Sequence, residues 1–232
     1  MDKRKQKYLT ISIPAYNDEY SLVKLVDEIL FRLKNKGIDY QILIINDGSI
    51  DATRHAAEKL AEKHEHVQLI NHQVNMGFGP TLRKVFTLPQ SEWILFLPGD
   101  NQFPAVNIEI MLGEMEGYDY LLGRRRIRKD SPLRLMYAGF YNRLVSLLSG
   151  YKVNDVNGIV LFKREIFKTI NLQSKTSFIH AELFLEAKRN GYKVKEIDVI
   201  HYEREFGKGS GGKWSVIVPT VLELIRYIAL KR

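Results

Sequence analysis

The feature that most constrains this chain is an alternation of short, nearly continuous apolar runs with stretches of helical periodicity. "YLTISIP" (Tyr8 to Pro14) precedes an amphipathic stretch from Tyr20 to Leu33, with Leu22, Leu25, Val26, Ile29 and Leu33 on one face. "YQILIIND" (Tyr40 to Asp47) precedes a helix opening near Asp51 and running to about His64. "HVQLIN" (His66 to Asn71) leads through a Gly-containing loop to a short helix near Thr81 to Phe86, and "EWILFLP" (Glu92 to Pro98) leads to a helix from about Pro104. Strands with no polar alternation are buried on both faces. The pattern therefore predicts an α/β fold, a mostly parallel sheet with helices on both faces. Ligands bind such sheets beyond the carboxyl ends of the strands. The polar clusters fall at those ends: Tyr16-Asn17-Asp18-Glu19, Asp47-Gly48-Ser49, Asn75-Met76-Gly77 and Asp100-Asn101-Gln102.

After residue 123 the pattern changes. Leu133, Met136, Tyr137, Phe140, Leu144, Leu147 and Leu148 form a broad apolar helical stripe. "GIVLF" (Gly158 to Phe162) reads as a strand, Ala181 to Arg189 as a helix, and "KVKEIDVIHYE" from Lys193 as a strand. From Lys213 onward the chain reads as a helix with a narrow polar stripe of Ser215, Glu223 and Arg226. Repeats, low-complexity segments and linkers are absent. The expectation is one domain over residues 1–212, completed by a C-terminal amphipathic helix over 213–232.

Composition removes several classes. A chain of 232 residues can bury ~70% of its unfolded surface. It has no cysteine, so disulfides and thiolate metal sites are excluded and a cytoplasmic location is natural. The N-terminus has basic residues but too short an apolar run before Pro14 for a signal peptide. No stretch reaches the ~20 apolar residues of a membrane span; the nearest, Trp214 to Leu230, is interrupted by Glu223 and Arg226. The net charge of +8 suits an anionic membrane surface, phosphorylated substrates or plain solubility. Its densest run is "GRRRIRK" at Gly123 to Lys129. Zinc, RNA-recognition and helix-turn-helix patterns are missing, so nucleic acid is not expected as a partner.

Taken singly, the strand-end clusters have bland readings. "NDGS" is a common turn, Asp51 can cap the next helix, and "NMGFG" lacks the third glycine of a dinucleotide fingerprint. Gly207 to Lys213, "GKGSGGK", has the spacing of a phosphate-binding P-loop, but Trp214 replaces the required Ser or Thr and no parallel strands follow. Four clusters on one sheet edge still mark a site. Within it, "ILFLPGDNQFP" sets a question: Asp100 is one carboxylate, and one carboxylate is a poor cation site.

"ISIPAYNDE", "IINDGSIDAT", "NMGFG", "LPGDNQFP", "VNDVNGIVLFKRE" and "REFGKGS", in this order, resemble family 2 glycosyltransferases of the GT-A fold. The subgroup they are most similar to is dolichol-phosphate mannosyltransferase and the bacterial polyprenyl-phosphate sugar transferases. The resemblance runs from Ile11 to about Ser210. The Q-x-x-R-W motif of processive synthases is absent.

The resemblance implies that Pro14, Tyr16, Glu19, Asp47 and Gly77 line the nucleotide, with Asp100 at its diphosphate end. Asp100 and Gln102 would hold Mg²⁺ or Mn²⁺. Asp155 would stand near the reacting centre, and Arg124, Arg134, Arg204 and Lys208 would face the phosphates of donor and acceptor. Where the family commonly has Asp-x-Asp, Pro98 replaces the first acid. A hard cation wants about six oxygens, so the donor diphosphate would complete its shell, or cationic side chains would replace the metal altogether.

Implied too are a UDP- or GDP-sugar donor, displacement with inversion, and a lipid-phosphate acceptor reached at the cytoplasmic face of a membrane. The stripe from Leu133 and the helix after Lys213 would make that peripheral contact. A hydroxyl acceptor would need Asp155 as base. An ionised polyprenyl phosphate would leave Asp155 to orient groups or tune the arginines. Two competing readings are a catalytically weak nucleotide-sugar-binding or regulatory protein and a sugar nucleotidyltransferase; the latter's Gly-rich loop is absent after the first strand.

Overall fold

A computed structural model describes residues 8–126, 132–204 and 214–231. Its centre is a seven-stranded sheet in the order β3-β2-β1-β4-β6-β5-β7. The strands are β1 (Leu9–Ala15), β2 (Tyr40–Asn46), β3 (Val67–Asn71), β4 (Trp93–Phe96), β5 (Tyr120–Arg125), β6 (Val160–Lys163) and β7 (Val194–Val199). The helices are α1 (Glu19–Leu33), α2 (Thr53–Lys63), α3 (Phe78–Thr87), α4 (Val106–Gly113), α5 (Pro132–Ser149), α6 (Ile179–Arg189) and α7 (Trp214–Lys231), with a 3₁₀ turn at Arg164–Lys168.

Every residue of β1 is buried, as a central strand requires. Alternate side chains feed two cores. Ile42, Ile44, Trp93 and Leu95 pack with α1, α2 and α4, while Leu43, Ile45, Ile94 and Phe96 pack with α3 and α6. One of the two buried hydroxyls of β1 is satisfied by neighbouring side chains: Thr10 Oγ1 lies 2.7 Å from Ser91 Oγ and accepts Gln41 Nε2 at 2.9 Å.

The β1–β2, β1–β4, β2–β3 and β5–β7 pairs are parallel, while β6 runs antiparallel between β4 and β5. Strand order reverses at β1, which leaves a crevice between the ends of β1 and β4. One strand escaped the sequence pattern. β5 has only three apolar residues before Gly123-Arg124-Arg125, so it read as the start of a basic run. Glycine makes its pairing possible, because a Cβ on Gly158 would overlap the Gly123 carbonyl.

The two late helices are buried on one side and exposed on the other. Val145 of α5 and Leu224 of α7 are buried in the second core, with Tyr141, Leu144, Tyr227 and Ile228 packed against it. Their outer faces keep Met136, Phe140, Leu147, Trp214, Leu222 and Ile225 exposed. Tyr137 and Trp214 meet edge to face at 5.7 Å. Glu223 ties α7 down by accepting hydrogen bonds from Ser174 Oγ, Lys175 N and Thr176 Oγ1. The C-terminal helix is thus anchored to the second core through Leu224, with Tyr227 and Ile228 packed beside it.

Candidate active site

Asp18, just past β1, and Asp100, just past β4, face the crevice from its two sides. Each acid sits in a turn with a left-handed asparagine beside it, Asn17 at φ 56° and Asn101 at φ 54°, a conformation asparagine tolerates better than most residues. Gly99 brings the turns together: its N–H donates to Pro14 O at 3.1 Å, and a Cβ there would lie 3.0 Å from that oxygen. Asp18 Oδ2 accepts Tyr16 N at 3.1 Å, and Asp100 Oδ1 accepts Gln102 N at 3.1 Å. The other oxygens share one guanidinium. Arg204 donates from Nη1 to Asp18 Oδ1 at 3.4 Å and from Nη2 to Asp100 Oδ2 at 2.5 Å.

Arg204 comes from beyond β7, three strands away from β4. Its approach is built by backbone clamps. Asn107 of α4 both donates to Ile200 O and accepts from Ile200 N, each at 2.8 Å. Tyr202 N then donates to Gln102 O at 2.8 Å, and Gln102 Nε2 to Tyr202 O at 3.2 Å. Burial raises the Asp18 pKa to about 6; the Tyr16 hydrogen bond opposes it, Asp100 adds to it, Arg204 opposes it and Asp51 adds a little.

Past β2, Asp47 is buried and already engaged. Its Oδ1 lies 2.7 Å from His72 Nδ1 and accepts Met76 N at 2.9 Å; Oδ2 accepts Gly77 N at 3.0 Å. Gly48 lets the loops meet, since a Cβ there would strike the Val74 backbone. Asp47 therefore shapes the loop through Gly77 at the start of α3. Around it Tyr16, Ile50, Val74, Met76 and Phe78 form an exposed apolar rim. Pro14 lies buried in β1. Glu19 reaches across to accept Ala52 N at 2.9 Å, and Asp51 caps α2 by accepting Thr53 N at 3.0 Å.

The second half of the edge is a set of paired arginines. Arg124 and Arg125 are successive on β5, so they point to opposite faces. Arg124 meets Asp198 of β7 at 2.6 Å on the exposed side. Arg125 makes a bidentate pair with Asp155, Nε to Oδ2 at 2.6 Å and Nη2 to Oδ1 at 2.8 Å. The Asp155 side chain is only 2% exposed. Its turn is held from two further sides: Asn142 of α5 donates to Asn154 O and accepts Val156 N, and Glu196 of β7 accepts Asn154 N and Asp155 N.

The expected residues thus divide. Asp100, Gln102 and Arg204 converge, Asp155 lies in the turn before β6 and Arg124 on β5, Arg134 is exposed at the start of α5, and Lys208 lies outside the described residues. Sequence reasoning passed over Asp18 for its neighbour Glu19, and missed Arg125, His72, Asn107, Glu196 and Asp198. Two of them carried a signal, Asp18 in a strand-end cluster and Arg125 in the basic run from Gly123.

Among the described residues no three His, Cys, Asp or Glu side chains are grouped to hold a metal. The Asp18 and Asp100 carboxylates do meet, at Arg204, and the Asp100 turn adds two more hard oxygens, the Gln102 amide and Asn101 Oδ1, the latter buried with no hydrogen-bond partner among the described residues. Such a set fits Mg²⁺ or Mn²⁺ whose remaining ligands arrive with the substrate.

A doubly covered sheet with acids at its switch point is the GT-A architecture of glycosyltransferases. Residues 10–171 match the model of glycosyl transferase family 2, and the chain belongs to that family. It is 28% identical, over 97% of its length and 74% of the relative's, to dolichyl-phosphate beta-glucosyltransferase ALG5A of Trichomonas vaginalis. It is 30% identical, over 90% of its length, to the undecaprenyl-phosphate 4-deoxy-4-formamido-L-arabinose transferase of Shewanella sediminis, of which it spans 63%. It spans 63% of CsbB of Bacillus subtilis, a putative glycosyltransferase, at 29% identity and 91% of its own length. Among solved structures, glucosyl-3-phosphoglycerate synthase of Mycobacterium tuberculosis with Mn²⁺, UDP-glucose and phosphoglyceric acid superposes with a TM-score of 0.71. The identity is 13%, over 95% of this chain and 79% of that one, a likeness of fold alone.

Proposed function

We propose that this glycosyltransferase moves a sugar from a UDP- or GDP-sugar to a polyprenyl phosphate at a membrane surface, with inversion. The carrying observation is the Arg125–Asp155 pair. A carboxylate that is 2% exposed and bidentately bound to a guanidinium is poorly placed to take a proton from an incoming hydroxyl. An acceptor already ionised near neutral pH needs no base, and a phosphate meets that requirement. Two relatives, a dolichyl-phosphate and an undecaprenyl-phosphate transferase, agree with it.

An acceptor phosphate oxygen bonds to the anomeric carbon as the bond to the β-phosphate oxygen breaks, and the electron pair leaves with the nucleoside diphosphate. No proton is transferred. A cation held by Asp100 and Gln102 would neutralise charge on the departing diphosphate. Arg204, beside them, supplies charge to the same phosphates. Arg124, Arg134 and Lys208 attract the acceptor, and Asp155 orients Arg125. The exposed faces of α5 and α7 rest on the lipid, with the exposed Arg134, Arg143 and Arg226 on the same helices adding attraction to anionic headgroups.

Two assays test this. Thermal shift with UDP or GDP and Mn²⁺ should show stabilisation that Asp100→Asn removes. Sugar transfer should occur to a polyprenyl phosphate and not to the corresponding alcohol. Nucleotide binding with transfer to neither would favour the nucleotide-sugar-binding reading. Flotation with anionic vesicles at low salt, released at high salt, tests the membrane contact; absence of flotation would remove it.

A further inference from the structure

We propose that Arg204 and a divalent cation are alternative occupants of one seat formed by Asp18 and Asp100, so that donor diphosphate must draw Arg204 out before the metal can enter. The inference rests on the donor site proposed above, and assigns Asp18 as the second carboxylate that Pro98 fails to supply.

The geometry carries it. Asp18 and Asp100 stand in the turns just past two adjacent parallel strands, at the reversal of strand order. Each uses one oxygen on a backbone N–H within its own turn and the other on the same guanidinium. The two carboxylate oxygens on Arg204 are therefore the ones a cation would need. Asn101 Oδ1, buried and without a hydrogen-bond donor, is a further oxygen in the Asp100 turn. Arg204 in turn is brought to the crevice by hydrogen bonds at Ile200 and Tyr202, and among the described residues its guanidinium donates to the two carboxylates.

Two cations cannot share this seat without strong repulsion. A guanidinium already satisfying both carboxylates makes entry of a free metal ion unfavourable. A diphosphate changes the balance because it offers the guanidinium a bidentate partner of higher charge. It also offers the metal the oxygens that two carboxylates lack. Nucleotide and metal therefore bind cooperatively, and Arg204 is the residue that sets the size of the coupling. By reciprocity, whatever UDP or GDP does to metal affinity, the metal does to theirs.

The test is a Mn²⁺ titration followed by electron paramagnetic resonance, on nucleotide-free and nucleotide-saturated protein. Wild type is compared with Arg204→Met, which keeps bulk and removes charge, and with Arg204→Gln as a second variant should the first not fold. Nucleotide-free Arg204→Met should bind Mn²⁺ roughly tenfold or more tightly than wild type, the scale of one lost competing ion contact. The enhancement by nucleotide should shrink in the same variant. Adding Asp18→Asn should remove the gain. Equal or weaker Mn²⁺ binding by both Arg204 variants, in a wild type that binds Mn²⁺ with nucleotide, overturns the shared seat and leaves the donor site standing. Nucleotide stabilisation of wild type independent of Mn²⁺ also overturns it and makes Arg204 a permanent substitute for the metal. Absence of any nucleotide binding would instead overturn the donor site itself.

Discussion

The half of the molecule built on β1–β4 and the half built on β5–β7 solve the same problem differently. In the first, strands are parallel, turns are short, and acids are seated mostly by backbone N–H groups: Asp47 by Met76 and Gly77, Asp18 by Tyr16, Asp100 by Gln102. In the second, an antiparallel strand is wedged in, and ions are seated by other ions, Arg125 on Asp155 and Arg124 on Asp198. The first half exposes Tyr16, Ile50, Val74, Met76 and Phe78 from its strand-end loops, whereas the second exposes apolar side chains along two helices, α5 and α7. Backbone seating suits a rigid pocket for one small ligand. Ion-pair seating leaves charges that an incoming phosphate can repartner, which suits a site met by a second substrate.

The largest test of the contrast is Gly158→Ala. Its Cβ would collide with the Gly123 carbonyl, and neither backbone can retreat without separating β5 from β6. A loss of about 4 kcal/mol or outright failure to fold is expected, read by urea denaturation. An unchanged midpoint would mean that the second half is looser than its hydrogen bonds indicate.

Asp155→Asn comes next. It breaks a buried bidentate pair, so a loss of about 3 kcal/mol is expected. Sugar transfer to a polyprenyl phosphate should weaken but persist, because no base has been removed. Abolition of transfer in a folded variant would return Asp155 to the role of base.

The junction of the halves gives a pH-dependent case. His180 of α6 packs edge-on to Phe86 and Phe96. Burial lowers its pKa from 6.5 to about 4, against an opposing pull from Asp155 and the Val156 backbone and a small further push from Arg125. The unfolded chain takes up that proton below about 6.5 and the folded chain only near 4. The stabilisation is thus complete above 6.5 and is lost as pH falls, by at most about 3 kcal/mol. His180→Phe should flatten the slope between pH 7 and 5; an equally steep slope in that variant would assign it to other groups.

The smallest effect belongs to Gly139→Ala. Nothing lies within 4 Å of the added Cβ on exposed α5, so a gain of roughly 0.5–1 kcal/mol is expected from helix propensity. Destabilisation would show that this face is covered in solution.

These outcomes also divide what was legible. The elements from β1 to β4 could be read directly, because apolar runs and helical stripes there are long and cleanly bounded. Three apolar residues before Gly-Arg-Arg were too few to announce β5. The reversed direction of β6 was invisible, since "GIVLF" reads alike in either sense. At the site Asp100 was conspicuous where a hydrophobic strand stops. Its partner Arg204, 104 positions away, was nominated only by resemblance, and no pattern joined it to Asp18.

What the sequence determined by itself is the layered sheet and the edge at which chemistry collects, because burial periodicity and turn residues are local properties. Only the tertiary structure decided which acid meets which arginine. Asp18 rather than Glu19, and Arg125 rather than Arg124 on Asp155, differ by one residue in turn or strand. A shift of one residue along a strand turns a side chain to the opposite face, so the pairing is set by register and by backbone clamps from distant elements.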